Sequence, residues 1–161
     1  MGLNARVFCN CYETGKVETP PPQPDLVYVD PTSGEVLLRW DEEGADQHRF
    51  FEWLSTACEH GPNGRLVYHR LGNIALICLL RELLQETPDR FPMLLSKVLY
   101  NGIHGGDMLT LSEVEQVAAE MSAVHTIHCS DDGDEALLRE FEGQMLELIQ
   151  GARSVSKPIV F

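Results

Sequence analysis

Residues 134–150 read DEALLREFEGQMLELIQ, and with ARVFCNCY at residues 5–12 they decide the fold class. In the first stretch Leu137, Leu138, Phe141, Met145, Leu148 and Ile149 fall in a narrow arc at 3.6 residues per turn. Asp134 and Glu135 stand where the helix dipole favours acid, and Gly151 offers a C-cap, so the spacing predicts an amphipathic helix over 134–150. In the second stretch Ala5, Val7, Cys9 and Cys11 alternate with Arg6, Phe8, Asn10 and Tyr12, the period of a strand with both faces partly apolar. One chain therefore mixes helix and sheet.

Between these anchors the punctuation is local. Pro20, Pro21, Pro22 and Pro24 fix φ and remove donors, predicting an extended connector; Pro21-x-x-Pro24 matches a polyproline ligand formally and reads as structural. Residues 26–29 and 35–40 form a hairpin around Asp30-Pro31-Thr32-Ser33-Gly34. Phe50, Phe51, Trp53, Leu54, Ala57 and Cys58 recur at helical spacing until Gly61-Pro62-Asn63-Gly64 stops them. Asn73 caps a helix over 74–86 whose first two turns are apolar all round, which predicts burial in the middle of the fold. Phe91 to Tyr100 predicts a further helix, and Ser112 with Glu115 reads as the capping box of another, over 113–123. The apolar tail 157–161 reads as an extended edge or strand. The expectation is one α+β domain over 1–161, with a small, mostly antiparallel N-terminal sheet packed by about five helices.

Charge narrows the function classes. The 161 residues carry 25 acids against 12 Lys and Arg, a net charge of −13, while 43% hydrophobic content is ordinary for a folded chain. Such a field repels nucleic acid and anionic membranes and attracts basic partners. The acid is concentrated: residues 107–151 hold eleven acids and one base, Arg139. We read Asp131, Asp132, Asp134, Glu135, Glu140, Glu142 and Glu147, around a projecting Leu146, as a surface that steers and anchors a basic protein. A solvated helical face is the competing reading.

No apolar run approaches the roughly 20 residues needed to span a bilayer, no signal peptide is evident, and five cysteines make a poor disulfide framework, so a cytoplasmic location is expected. Gly2 lacks the Ser or Thr that myristoylation requires at position six, which is Arg6. Cys9-x-Cys11, Cys58-x-His60 and His128-Cys129 offer soft ligands. On a strand, however, C-x-C places two thiols on one face about 6.5–7 Å apart, and two small buried hydrophobes explain the same pattern. Zinc at Cys9, Cys11, Cys58 and His60 is thus the alternative to no cofactor. Aligning Gly133 with the glycine of an EF-hand loop puts Arg139 where a carboxylate is required, which excludes that site. His104 in a glycine-rich loop lacks a nucleophile, and no phosphate-binding, G-x-S-x-G or H-E-x-x-H motif occurs, so no catalytic residue is assigned; a metal-dependent or thiol enzyme using the Cys and His residues is the alternative.

In size, acidity and lack of catalytic motifs the chain resembles bacterial immunity proteins. That resemblance implies a cytoplasmic inhibitor that blocks a cognate toxin, often a basic nuclease. The start, Met1-Gly2-Leu3-x-Ala5-x-Val7-x-Cys9-x-Cys11, also resembles a group of uncharacterised bacterial proteins and implies no activity.

Overall fold

The computed structural model describes residues 2–40, 42–102 and 105–161. In chain order its elements are β1 (Gly2–Phe8), β2 (Val27–Val29), β3 (Val36–Leu38), α1 (Gln47–Thr56), β4 (Arg65–Asn73), α2 (Ile74–Gln85), β5 (Met108–Leu109), α3 (Leu111–Val124), α4 (Asp132–Val155) and β6 (Ile159–Val160). Short 3-10 or π turns occupy Pro24–Leu26, Pro88–Arg90 and Leu94–Val98. The fold is mixed α/β, with a four-stranded antiparallel sheet in the order β4-β1-β6-β5 and a separate hairpin of β2 and β3.

Strand β1 sends Leu3, Ala5 and Val7 into the main core, as a period of two requires. There they meet Ile77, Leu80 and Leu84 of α2, Val117 and Met121 of α3, and Phe141, Met145 and Leu148 of α4. The opposite sheet face carries polar groups beside a buried Phe8: Tyr68 donates to the Asn4 side chain at 3.0 Å, and the Arg65 guanidinium lies 5.1 Å from the Tyr68 ring centre. Helices thus cover one face of the sheet.

A second, smaller core gathers Val27, Leu38, Phe50, Trp53, Leu54 and Ala57 from the hairpin and α1. It belongs to a lobe inserted between the antiparallel neighbours β1 and β4. Trp53 sits edge-on to Tyr12, with ring centres 6.0 Å apart, and donates its indole N–H to Thr19 O at 2.8 Å. The proline-rich connector is thereby fastened to α1.

Several sequence expectations change in detail. Strand β1 ends at Phe8, so Cys9 to Tyr12 leave the ladder and turn. Helix α4 runs through Gly151 to a left-handed Ser156, because Gly151 is a contact glycine: a Cβ there would lie 2.6 Å from Val67 Cγ2. The capping box of α3 sits two residues early, with Thr110 and Glu113 bonding each other's backbone. Helix α2 buries Ile77, Leu80 and Leu84 but exposes Ile74, Ala75 and Cys78, so it lies at the surface rather than the centre. Residues 92–98 wind only one short helical turn and a π turn. Among the described residues no helix is long and apolar enough to cross a membrane.

Candidate metal centre

The doorway of the inserted lobe is built from two backbone departures. At its entrance the β1–β4 register shifts between Val7 and Phe8, and the Cys9 N–H leaves the ladder to donate to Gly64 O at 2.8 Å. The chain then curls, with Thr14 N–H bonded to Asn10 O at 2.9 Å and Lys16 N–H to Cys11 O at 2.8 Å. At the exit α1 ends at Thr56, Cys58 and His60 follow, and the chain turns into β4 through left-handed Asn63 (φ 67°) and Gly64 (φ 63°). Asn tolerates that conformation and Gly adopts it freely, which explains why G-P-N-G stands here.

These two departures bring four ligand atoms together: the thiols of Cys9, Cys11 and Cys58 and a ring nitrogen of His60 all lie within 4.8 Å of one another. Cys9 Sγ and Cys58 Sγ are 3.8 Å apart, and Cys11 Sγ is 3.2 Å from His60 Nδ1. A tetrahedral zinc with Zn–S near 2.3 Å and Zn–N near 2.0–2.1 Å has edges of about 3.8 Å between sulfurs and about 3.5 Å between sulfur and nitrogen. The donor set therefore fits zinc. Cys9 and Cys11 are buried, Cys58 and His60 half-buried, and burial pushes all three thiols above the ordinary cysteine range, so that one thiolate beside another is disfavoured. A divalent cation at the centre reverses that preference and holds the sulfurs as thiolates.

The entrance is pinned independently by Lys157. Its buried ammonium donates to Cys9 O and Gly34 O, both at 2.7 Å, and pairs with Glu13. A Cβ on Gly34 (φ 73°) would lie 2.7 Å from Lys157 Cδ, so glycine is needed there for space as well as for backbone.

The expected acidic face is only partly free. Asp131 caps α4 by accepting from Gly133 N–H at 2.8 Å and Asp134 N–H at 3.2 Å. Glu135 accepts from Cys129 N–H at 2.7 Å and from Arg139, and these bonds hold its carboxyl below the usual range. Glu142, expected on the exposed flank, is instead buried between Arg139 and His125, because Arg139 folds back over the end of α3. Glu147 pairs with His69 at 2.8 Å yet stays largely exposed, as do Asp132, Glu140 and Leu146; Asp134 is half-covered. His104 lies outside the described residues, and His128 and Cys129 neighbour Glu135 rather than the four-ligand cluster.

These four residues stood second to a reading of small buried hydrophobes because Cys11 was expected on a strand, whereas the ladder stops at Phe8. The sequence signal lay in the pair of short motifs, C-x-C and C-x-H, at the two ends of one insertion. Searches against protein-family models, curated proteins and solved structures give no match for the chain.

Proposed function

We propose that Cys9, Cys11, Cys58 and His60 hold a structural zinc ion that fastens the inserted lobe to the α/β body, and that the protein acts as a non-enzymatic binding protein for a basic partner. The observation that carries the metal is the mutual approach of four ligand atoms within 4.8 Å. Four protein ligands fill a tetrahedron and leave no open position for substrate or water, which favours a structural over a catalytic ion. The lobe needs such a staple: among the described residues six buried hydrophobes form its core, against twenty-four in the main one. Units with so little core are usually held by metal, disulfide or assembly. Zinc contributes about 10–16 kcal/mol in small folded peptides, comparable with the whole stability of a domain at about 5–15 kcal/mol.

The basic partner is supported by the charge of −13 and by the exposed acids of α4, Asp132 at its start and Glu140 and Glu147 near the exposed Leu146. A cytoplasmic inhibitor of a toxin, of the kind the immunity proteins represent, is the role consistent with that sign.

Elemental analysis of chain purified without chelator tests the metal. The expected result is about one zinc per chain, lost in Cys58→Ser, with chelation raising hydrogen exchange across residues 10–60 while α3 and α4 stay protected. Chain that remains metal-free after zinc supplementation overturns the reading.

A further inference from the structure

The lobe carries a second feature that the metal does not use. Between β3 and α1 runs a groove of about 390 Å³, lined by Glu35, Leu37, Trp40, Phe50, Phe51 and Leu54 among others. Trp40 and Phe51 are 70% and 57% exposed, the two most exposed large hydrophobic side chains among the described residues, and both line this one groove. Leaving two aromatics in water forfeits burial that an occupant would recover.

The wall of the groove is an open strand edge. Among the described residues strand β3 pairs only with β2, and Glu35 O accepts from Asp30 N–H while Arg39 N–H donates to Leu26 O; on the other edge the Gly34 and Leu38 carbonyls are taken by Lys157 and by Trp40 N–H, which leaves the groups of Val36 between them. Bonded pairs alternate in an antiparallel ladder, so the odd residues of β3 face β2 and the N–H and C=O of Val36 point to the other edge. Unpaired strand groups beside an apolar trough are the template used when an extended peptide adds itself to a sheet.

The rim supplies the sign. Glu35 is half-buried in the wall; Arg6 and Arg65 lie near enough for their charge to act on its carboxyl, yet neither bonds to it among the described residues, so its oxygens keep room for a further donor. The described residues between Trp40 and Gln47 include Glu42, Glu43 and Asp46 and no Lys or Arg. We propose that this groove takes an extended segment of a partner protein, paired along the open edge of β3, with apolar side chains seated on Trp40 and Phe51 and a flanking Lys or Arg at Glu35. The inference rests on the reading above only for the partner's charge. Its location on the lobe is new, and it separates anchoring at the groove from the steering assigned to α4.

The test uses the intact chain as purified. A library of linear peptides displayed on phage is panned on it, and the enriched peptides are synthesised. The expected winners carry alternating apolar residues next to Lys or Arg. Binding should shift the emission of Trp40 to the blue, and Trp40→Ala should weaken it by at least about tenfold, the scale of an anchor side chain. Glu35→Gln should weaken basic winners severalfold, and Glu140→Lys with Glu147→Lys should leave their dissociation rates unchanged. Trp40 is so exposed that its removal leaves the fold intact, which circular dichroism checks. Absence of enrichment, winners without basic residues, or winners that bind Trp40→Ala equally well would each overturn the proposal. Zinc content measured on the same sample reports separately on the metal, so the two readings fail independently.

Discussion

Two glycines of one helix show how much a single hydrogen decides. Gly151 faces Val67 so closely that a methyl group would lie 2.6 Å from its Cγ2, whereas Gly143 in the same helix has nothing within 4 Å of the equivalent position. Gly143→Ala should therefore stabilise the fold by about 0.5–1 kcal/mol through helix propensity. Gly151→Ala should destabilise it by about 1–2 kcal/mol, because overpacking outweighs the same gain. Urea denaturation of both variants checks the pair, and equal shifts of the same sign would refute the contact. The sequence offers both as glycines in an amphipathic repeat, and only the approach of α4 to β4 distinguishes them. Cys11 has the same lesson: its residue type was informative, but its position depended on where a ladder stopped.

Boundary residues of the elements set their stability in a way pH reveals. At the start of α3, Glu113 accepts from Thr110 N–H at 2.8 Å and lies 3.0 Å from Lys97, and the Thr110 backbone bond is the main cause of its lowered pKa. A carboxyl whose pKa is lower folded than unfolded adds stability that is fully present above the ordinary glutamate range and is lost as pH falls through the native value. Glu113→Gln should remove that acid-dependent part, flattening the fall in stability below about pH 4.5, and Thr110→Ala should cost about 1 kcal/mol at neutral pH. Thermal melts between pH 3 and 7 read both; an unchanged acid limb in Glu113→Gln would place the box outside the titration. The existence of α1, α2, α3 and α4 was legible from apolar periodicity and from Asn73. Their ends were not, because T-x-x-E and S-x-x-E overlap at residues 110–115 and tertiary packing selects the first.

At the scale of the molecule, charge and topology divide the labour. Arg6, Arg65 and Arg70 come from the strands of the sheet, while the acids crowd onto α3, α4 and their connection, giving a net charge of −13 its asymmetry. Reversing Glu140 and Glu147 to Lys should slow association with a basic partner, captured first on the wild-type chain, by about tenfold at low salt and leave the circular dichroism spectrum unchanged. A rate that does not move would leave the acid of α4 as a solvating face. The mixed class and the hairpin were readable in advance, and so was the tail strand; the lobe was not, since nothing local announces that Cys9 and Gly64 share a doorway. That doorway makes the lobe modular. Strands β1 and β4 already face each other at Phe8 and Arg65, so joining them through a tight turn would leave an ordinary β-hairpin and an uninterrupted sheet. The segment between is an addition to a finished frame, exchangeable without rethreading a strand, and it meets that frame at the Cys9, Cys11, Cys58 and His60 cluster and at the reach of Lys157 to Gly34.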